Sequence, residues 1–262
     1  MADSSSQQPS SRESLVSLIM TVFNREKFLG DAIESALCQS YRNFELIIWD
    51  DGSTDRSLEI ATHYAQKDAR IRLVAAEHQG RIFALQQAHT MAKGSYVGWL
   101  DSDDRLAPDT ILETAEILDQ QPQIGMVYTQ YETIDENNCV TGLGRRCKIA
   151  YSDLQMLVDF MTFHFRLIRR SIYEQIGGVD SSFPCAIDYD LCLRLAEITE
   201  FYHLQKPLYF YREHAESISQ RQRNHQIHHA QRAIQNALER RGLSDVYELV
   251  VHPPNQFELY RK

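Results

Sequence analysis

One repeated order limits what this chain can fold into. Three times in the first 104 residues a short apolar run ends in a polar cluster, and an amphipathic stretch follows. Residues 15–23 lead into Asn24-Arg25. Residues 44–49 lead into Asp50-Asp51-Gly52-Ser53-Thr54-Asp55, and residues 96–100 into Asp101-Ser102-Asp103-Asp104. Such apolar runs read as strands buried on both faces. Residues 26–39 and 80–92 repeat apolar residues at helical spacing, with Gly94 closing the second stretch. Another helix runs to about residue 67 with Ser53 or Thr54 as its cap, and residues 71–76 add a strand. This rhythm predicts an α/β fold with a Rossmann-like, mostly parallel sheet flanked by helices. Ligands of such sheets sit beyond the carboxyl ends of the strands. All three polar clusters therefore converge on one edge.

The second half is less regular. Strands are expected at 126–134 and 163–168, with an extended stretch at 201–211 broken by Pro207. Helices are expected from Pro108 to about residue 120, and at 151–161, 171–176 and 186–197, while 135–148 is turn-rich. Residues 221–241 read as a helix with a thin apolar stripe of Ile227, Ile234 and Leu238. His225, His228 and His229 fall on its solvated face.

Charge and cysteine usage exclude several classes. The formal charge is −9, which opposes holding a nucleic-acid backbone along the chain. Residues 221–241 hold five Arg and one Glu, a local +4 that leaves −13 on the rest. That basic segment suits packing against the acidic body, dimerisation, or docking on anionic lipid. The five cysteines contain no C-x-x-C pair, so reduced thiols and a cytoplasmic setting fit better than a disulfide framework. The Ser/Gln-rich start, 1–13, reads as a disordered tail without the apolar segment of a signal peptide. No apolar run reaches the ~18 residues of a membrane span, so any membrane role is peripheral.

The polar clusters carry chemistry. Asp101, Asp103 and Asp104 repel one another unless a positive group sits among them. A hard divalent ion, Mg²⁺ or Mn²⁺, completed by diphosphate oxygens is the natural partner; an acidic turn capping the next helix is the plainer reading. Asp51 can accept from a base N–H or a ribose hydroxyl while its neighbours form a turn. Thr21, Phe23 and Asn24 end the first strand and can line a nucleotide pocket. Arg81 opens a helix after Gly80 and can reach a diphosphate. Asp188 lies at a helix start, where an anion is stabilised, which suits a cap and a general base equally. Arg194 is off its face and reads as a structural ion-pair partner. His214 can join a metal or touch a phosphate.

Taken together, Leu18 to Arg25, Gln39 to Asp55, Ala92 to Asp104, Ile176-Gly177-Gly178-Val179-Asp180 and Asp188 to Arg194 resemble glycosyltransferase family 2. The resemblance covers residues 15–219. It implies the GT-A fold, with a nucleotide-binding half at 14–104 and a smaller mixed acceptor half at 105–219; residues 220–262, outside the resemblance, read as a helical extension. It implies an inverting, metal-dependent transferase moving a sugar from a nucleotide-sugar donor, a UDP-sugar, to a hydroxyl of a glycan or lipid-linked acceptor in polysaccharide or cell-envelope synthesis. Asp51 would contact uracil, with Thr21 and Phe23 in the same pocket. Asp103 would be the main metal ligand, with Asp101 toward the ribose and His214, in Tyr211-Arg212-Glu213-His214, beside the diphosphate. Asp188 would be the base, and His164 and Arg166 would border the acceptor.

Two departures stand out: Ile187 replaces the usual Glu before Asp188, and Gln86 a frequent Asn. The Gln-x-x-Arg-Trp motif of processive synthases is absent, so a single addition is expected. A sugar nucleotidyltransferase would want a Gly-rich basic loop after the first strand, which Asn24-Arg25-Glu26-Lys27 lacks. The alternative from another class is a non-catalytic sugar-nucleotide-binding subunit of a larger assembly.

Overall fold

The computed structural model describes residues 13–215, 223–252 and 256–262. The expected disordered tail falls outside them apart from Glu13, as do Ser217, Ser219 and Arg221.

Four parallel strands build one end of the sheet: β1 (Val16–Val22), β2 (Phe44–Asp51), β3 (Ile71–Ala76) and β4 (Tyr96–Trp99). Their order is β3-β2-β1-β4, so the direction of winding reverses between β1 and β4. The sheet continues through β8 (Arg166–Arg169), β6 (Ile124–Ile134), β9 (Glu200–Arg212) and β5 (Arg105–Leu106), with β7 (Val140–Leu143) beside β6. Strands β4, β8 and β6 run alternately antiparallel, whereas β6 and β9 are parallel. Pro207 pairs with Gln130 where that register shifts, since proline has no N–H for the ladder.

The period of two along each strand sorts side chains into two cores. Leu18, Met20, Leu46 and Ile48 face α1 (Leu29–Leu37), α2 (Ser57–Ala65) and α4 (Thr110–Gln120). Ile19, Ile47 and Trp49 face α3 (Arg81–Thr90), α6 (Ile187–Leu195) and α7 (Arg223–Arg240). Helix α1 forms because Leu29, Ala32, Ile33 and Ala36 recur at helical spacing and all bury. Each such large apolar side chain stabilises the fold by roughly 1.5–3 kcal/mol when fully buried. The short α5 (Arg170–Gln175) stops at Gly177 and Gly178, both at positive φ (76° and 69°), where only glycine is unstrained.

Several expectations change. Ser53 and Thr54 do not cap α2. Arg56 stands at its N-cap without a side-chain cap, Asp55 accepts from Ser57 N at 2.9 Å, and Ser53 Oγ accepts from Asn24 N. Residues 151–161 hold only a 3₁₀ turn, Gln155–Leu157, although Met156, Leu157 and Met161 bury in the same core. The extension is not wholly helical: β10 (Tyr247–His252) and β11 (Gln256–Arg261) form an antiparallel hairpin. Nor is it apart from the domain, for Ala233, Ile234, Ala237 and Leu238 of α7 pack in one core with α6. Three of its arginines turn toward the body: Arg232 binds Ser182, and Arg240 and Arg241 pair with Glu197. Arg194 pairs with Asp190 at 2.8 Å, as a structural partner should. No described helix is long and apolar enough to cross a membrane.

Candidate active site

A cavity of about 620 Å³ opens beyond the carboxyl ends of β1, β2 and β4, at the switch point where the rule for open α/β sheets puts a ligand. Thr21, Phe23, Asp51, Arg81, Asp101 and Asp103 line one part of it. His164 and Asp188 line it from the other half of the sequence. Residues 167 positions apart, from Thr21 to Asp188, are thus gathered by the topology.

At one end Phe23 is 40% exposed and stacks on His78, ring centroids 4.2 Å apart and planes at 24°. This pair is an aromatic platform of the kind a base can lie against. Asp51 lies beneath it. Its two carboxylate oxygens accept from Gln79 N and Gly80 N, both at 2.9 Å, and His78 Nδ1 lies 2.9 Å from Oδ2. Asp51 thus holds the turn before α3, yet a carboxylate has about four acceptor sites, so a ligand N–H can still be received. Gly80 takes φ 94° in that turn. Asn24 departs from expectation. Its backbone is left-handed (φ 53°), and its Oδ1 accepts from Thr54 N at 2.8 Å. It staples the β1 and β2 loops together instead of lining the cavity.

The acidic run after β4 divides by partner. Asp101 Oδ1 accepts from Arg81 Nη2 at 2.7 Å, and its Oδ2 lies 3.9 Å from His164 Nε2. Asp103 Oδ2 accepts from Arg25 Nε at 3.1 Å and lies 3.1 Å from His214 Nε2. Asp104 is buried, taking Tyr209 OH and Arg212 N, each at 2.7 Å. Arg212 itself is 1% exposed and donates to the Asp103 and Asp135 carbonyls, locking the run to the end of β9. Burial pushes the pKa of all three carboxyls up, toward the neutral form, but the environments then diverge. In Asp103 the His214 hydrogen bond and the Arg25 charge outweigh burial and hold it below the usual range. Asp101 stays above that range, because the Arg81 charge offsets burial only in part. Asp104 is pushed well above it by burial and then by its two acidic neighbours. His164 is pushed well below the usual imidazole value by burial and by Arg166, so it stays neutral.

This donor set fits a hard divalent cation. Asp101, Asp104 and His164 each offer a ligand atom within 4.8 Å of the others, and neutral imidazole with carboxylate oxygens suits Mn²⁺ or Mg²⁺. The compact triplet differs from the expected set of Asp101, Asp103 and His214. Asp103 and His214 instead pair with each other at its rim, and His164, expected on the acceptor side, joins the acidic cluster.

Asp188 sits in the first turn of α6, with Oδ1 accepting from Tyr189 N at 3.0 Å. Arg166 is 4% exposed, and its Nη2 lies 3.6 Å from Asp188 Oδ2 while Nη1 donates to the Thr162 carbonyl. Its guanidinium also lies near the rings of Trp99 and Phe160. It is therefore placed behind Asp188 and does not line the cavity as an acceptor contact would. The residues that sequence reading left unassigned are Arg25, His78 and Arg212. Arg25 and Arg212 adjoin assigned residues in the same motifs, which is the signal for them; His78 carries none.

The description Glycosyl transferase family 2 matches residues 17–177. A chondroitin synthase of Escherichia coli is 30% identical over 232 residues, 88% of this chain but 34% of that protein, so the chain spans about a third of its length. The mannosyltransferase PcManGT of Pyrobaculum calidifontis, solved with GDP-Man and Mn²⁺, superposes with a TM-score of 0.69 at 19% identity, covering 86% of this chain and 65% of that one. S. aureus TarS 1-349, solved with UDP-GlcNAc, superposes at 0.66 with 18% identity, covering 77% and 59%. The curled, mostly parallel sheet is that of the GT-A glycosyltransferases. With more than half its length matched, the chain belongs to glycosyl transferase family 2.

Proposed function

We propose that this glycosyltransferase moves a sugar from a nucleotide-sugar, a UDP-sugar, to a hydroxyl of a glycan or lipid-linked acceptor, with inversion and with help from a divalent cation. The observation that carries the reading is that Asp51, Asp101, Asp103 and Asp188 border one cavity beside the Phe23–His78 platform. The base of the donor lies against that platform, within reach of Asp51 and Thr21. The diphosphate then runs along the acidic cluster, where Arg81 and Arg25 offer positive charge and Asp101, Asp104 and His164, with Asp103 at the rim, would hold Mn²⁺ or Mg²⁺. Such an ion supplies charge stabilisation for the departing diphosphate.

The protein's own groups do the rest. Asp188 takes the proton of the attacking hydroxyl. Its carboxylate has a reference pKa of ~3.9 and is a weak base toward an alcohol, so proton transfer accompanies bond formation. Attack from the face opposite the diphosphate inverts the anomeric centre in one displacement. Relatives of this chain include a chondroitin synthase, and solved neighbours hold UDP-GlcNAc or GDP-Man. These support a role in polysaccharide or cell-envelope glycan synthesis. A screen of UDP- and GDP-sugars, read by released nucleotide with and without Mn²⁺, tests the proposal. Turnover of a UDP-sugar that requires the ion is expected. Tight UDP binding without turnover of any donor, with water or with sugar acceptors, would instead favour a non-catalytic subunit.

A further inference from the structure

We propose that helix α7, which lies beyond the family match, is a clamp on the loop that delivers Asp188, so that the C-terminal extension is a working part of the active site. The inference rests on the reading of Asp188 as the base. Residues 180–186 lead from the α5 region into α6. Arg232 of α7 grips this loop at its middle. Its Nη2 donates to both the carbonyl and the hydroxyl of Ser182, at 2.6 and 2.9 Å, and its guanidinium lies 3.9 Å from the Phe183 ring centroid. Phe183 is 1% exposed, whereas Ser182 is exposed and Arg232 half-buried, so the guanidinium covers a core ring from the surface side. Within the loop, Ser182 N donates to Asp180 Oδ1 at 2.8 Å and Phe183 N to the Asp180 carbonyl.

The loop ends in a conformation that needs such a hold. Ala186 has φ 58°, the left-handed region that costs a residue bearing Cβ roughly 1–3 kcal/mol and persists only where the surroundings impose it. Its carbonyl then accepts from Asp190 N, starting the helix whose first turn carries Asp188. The clamp is itself rigidly mounted, for Ala233, Ile234 and Ala237 are fully buried against the domain. Helix α7 also reaches the site directly: Gln226 lines the same cavity as Cys185, Ala186 and Asp188. Arg232 is a positioning residue. It acts through Ser182 and Phe183 on the angle at which α6 presents its carboxylate.

Cys185 offers a readout that needs no acceptor. It is 7% exposed and sits in the loop. In a background where the exposed Cys38 and Cys139 are replaced by Ser, maleimide labelling at Cys185 is followed by peptide mass spectrometry in wild type, Arg232→Ala and Arg232→Lys. UDP binding with Mn²⁺ and nucleotide-sugar turnover are measured on the same proteins. Arg232→Ala is expected to bind UDP as before and to label at Cys185 about tenfold faster, as a locally opened loop should. Its turnover should fall by on the order of 10²-fold, the usual effect of misplacing a catalytic group by about 1 Å. Arg232→Lys should recover part of both, since an ammonium can still reach Ser182. Ser182→Ala, a milder change, should shift both readouts in the same direction. Unchanged labelling in Arg232→Ala, or faster labelling with full turnover, overturns the clamp. Asp188→Asn run in parallel reports on the base: wild-type turnover there removes the reading of Asp188, while the labelling still reports on Arg232.

Discussion

Arg166 and Asp188 form an ion pair, Nη2 to Oδ2 at 3.6 Å, in which only the carboxylate reaches the cavity. A buried guanidinium is costly unless paired, and its remaining donors here go to the Thr162 carbonyl and two aromatic faces. The pair therefore works in one direction: Arg166 fixes where Asp188 points. Asp188→Asn should lower turnover by about 10²–10⁴-fold with UDP binding retained, the range for loss of a general base. Arg166→Met keeps the stem volume and should lower turnover by a comparable factor. Because the two act as one unit, the double variant should be little worse than either single one. Multiplicative losses in that kinetic cycle would show that they act separately.

Asp103 accepts from both Arg25 and His214 at the rim of the acidic cluster, and those two contacts hold it ionised. Asp103→Ala leaves Arg25 and His214 without their shared anion and removes a carboxylate from the cation site. Calorimetric titration with UDP should show the consequence. Wild type should bind UDP more tightly with Mn²⁺ than without, and the variant should lose most of that difference. Turnover should fall by roughly 10²–10³-fold, as when one charge-stabilising group is lost. An unchanged Mn²⁺ effect in the variant would remove Asp103 from the metal's surroundings.

What sequence could and could not reveal follows from the range of each signal. All eight residues of β2 are buried, so its apolar run is legible locally, and the carboxylates after β2 and β4 are then placed by a general rule of α/β sheets. Arg166 and Asp188 are 22 positions apart, and nothing near either one announces the pair. The same holds for His164, whose place beside Asp101 depends on β8 returning next to β4. Residues 151–161 have helical spacing, yet only Gln155–Leu157 closes a turn, and Arg146 from a distant turn donates to the Phe160 carbonyl. The C-terminal hairpin is a different case. Tyr247, Leu249, Phe257 and Leu259 alternate with polar residues at the period of a strand, and all four pack on the core. That signal was present in the sequence, and the basic helix before it drew the whole extension toward a helical reading.

The Phe23–His78 stack gives the base end of the site a measurable share of donor binding. His78 is anchored through Nδ1 to Asp51, so removing Phe23 leaves one ring in place, and removing His78 frees both Phe23 and Asp51. Phe23→Ala should weaken UDP binding by about three- to tenfold, matching the ~0.5–1.5 kcal/mol of one aromatic contact. His78→Ala should weaken it at least as much. Neither should change the rate once donor is saturating, since in this reading both rings touch the base and not the reacting centre. A fall in the saturated rate without a change in UDP affinity would assign Phe23 and His78 to the chemistry instead.

His89 predicts the direction in which stability depends on pH. Its Nε2 accepts from Trp99 Nε1 at 2.7 Å, and its ring lies flat against Tyr173 at 4.0 Å. Indole nitrogen only donates, so this bond requires His89 to be neutral. Packing around the ring pushes its pKa down to about 3, against about 6.5 in an unfolded chain. The folded state thus takes up the proton less readily than the unfolded one. The stabilisation is complete above about pH 6.5 and is lost as pH falls from there toward 3, at no more than about 1.4 kcal/mol per pH unit for one proton. His89→Gln keeps an acceptor for Trp99 without titrating. Urea unfolding at pH 7.5 and 5.0 should therefore show a smaller loss of stability in the variant than in wild type. Equal losses would mean that His89 takes up its proton as readily in the folded protein as in the unfolded chain, and the Trp99 contact would then carry no pH dependence.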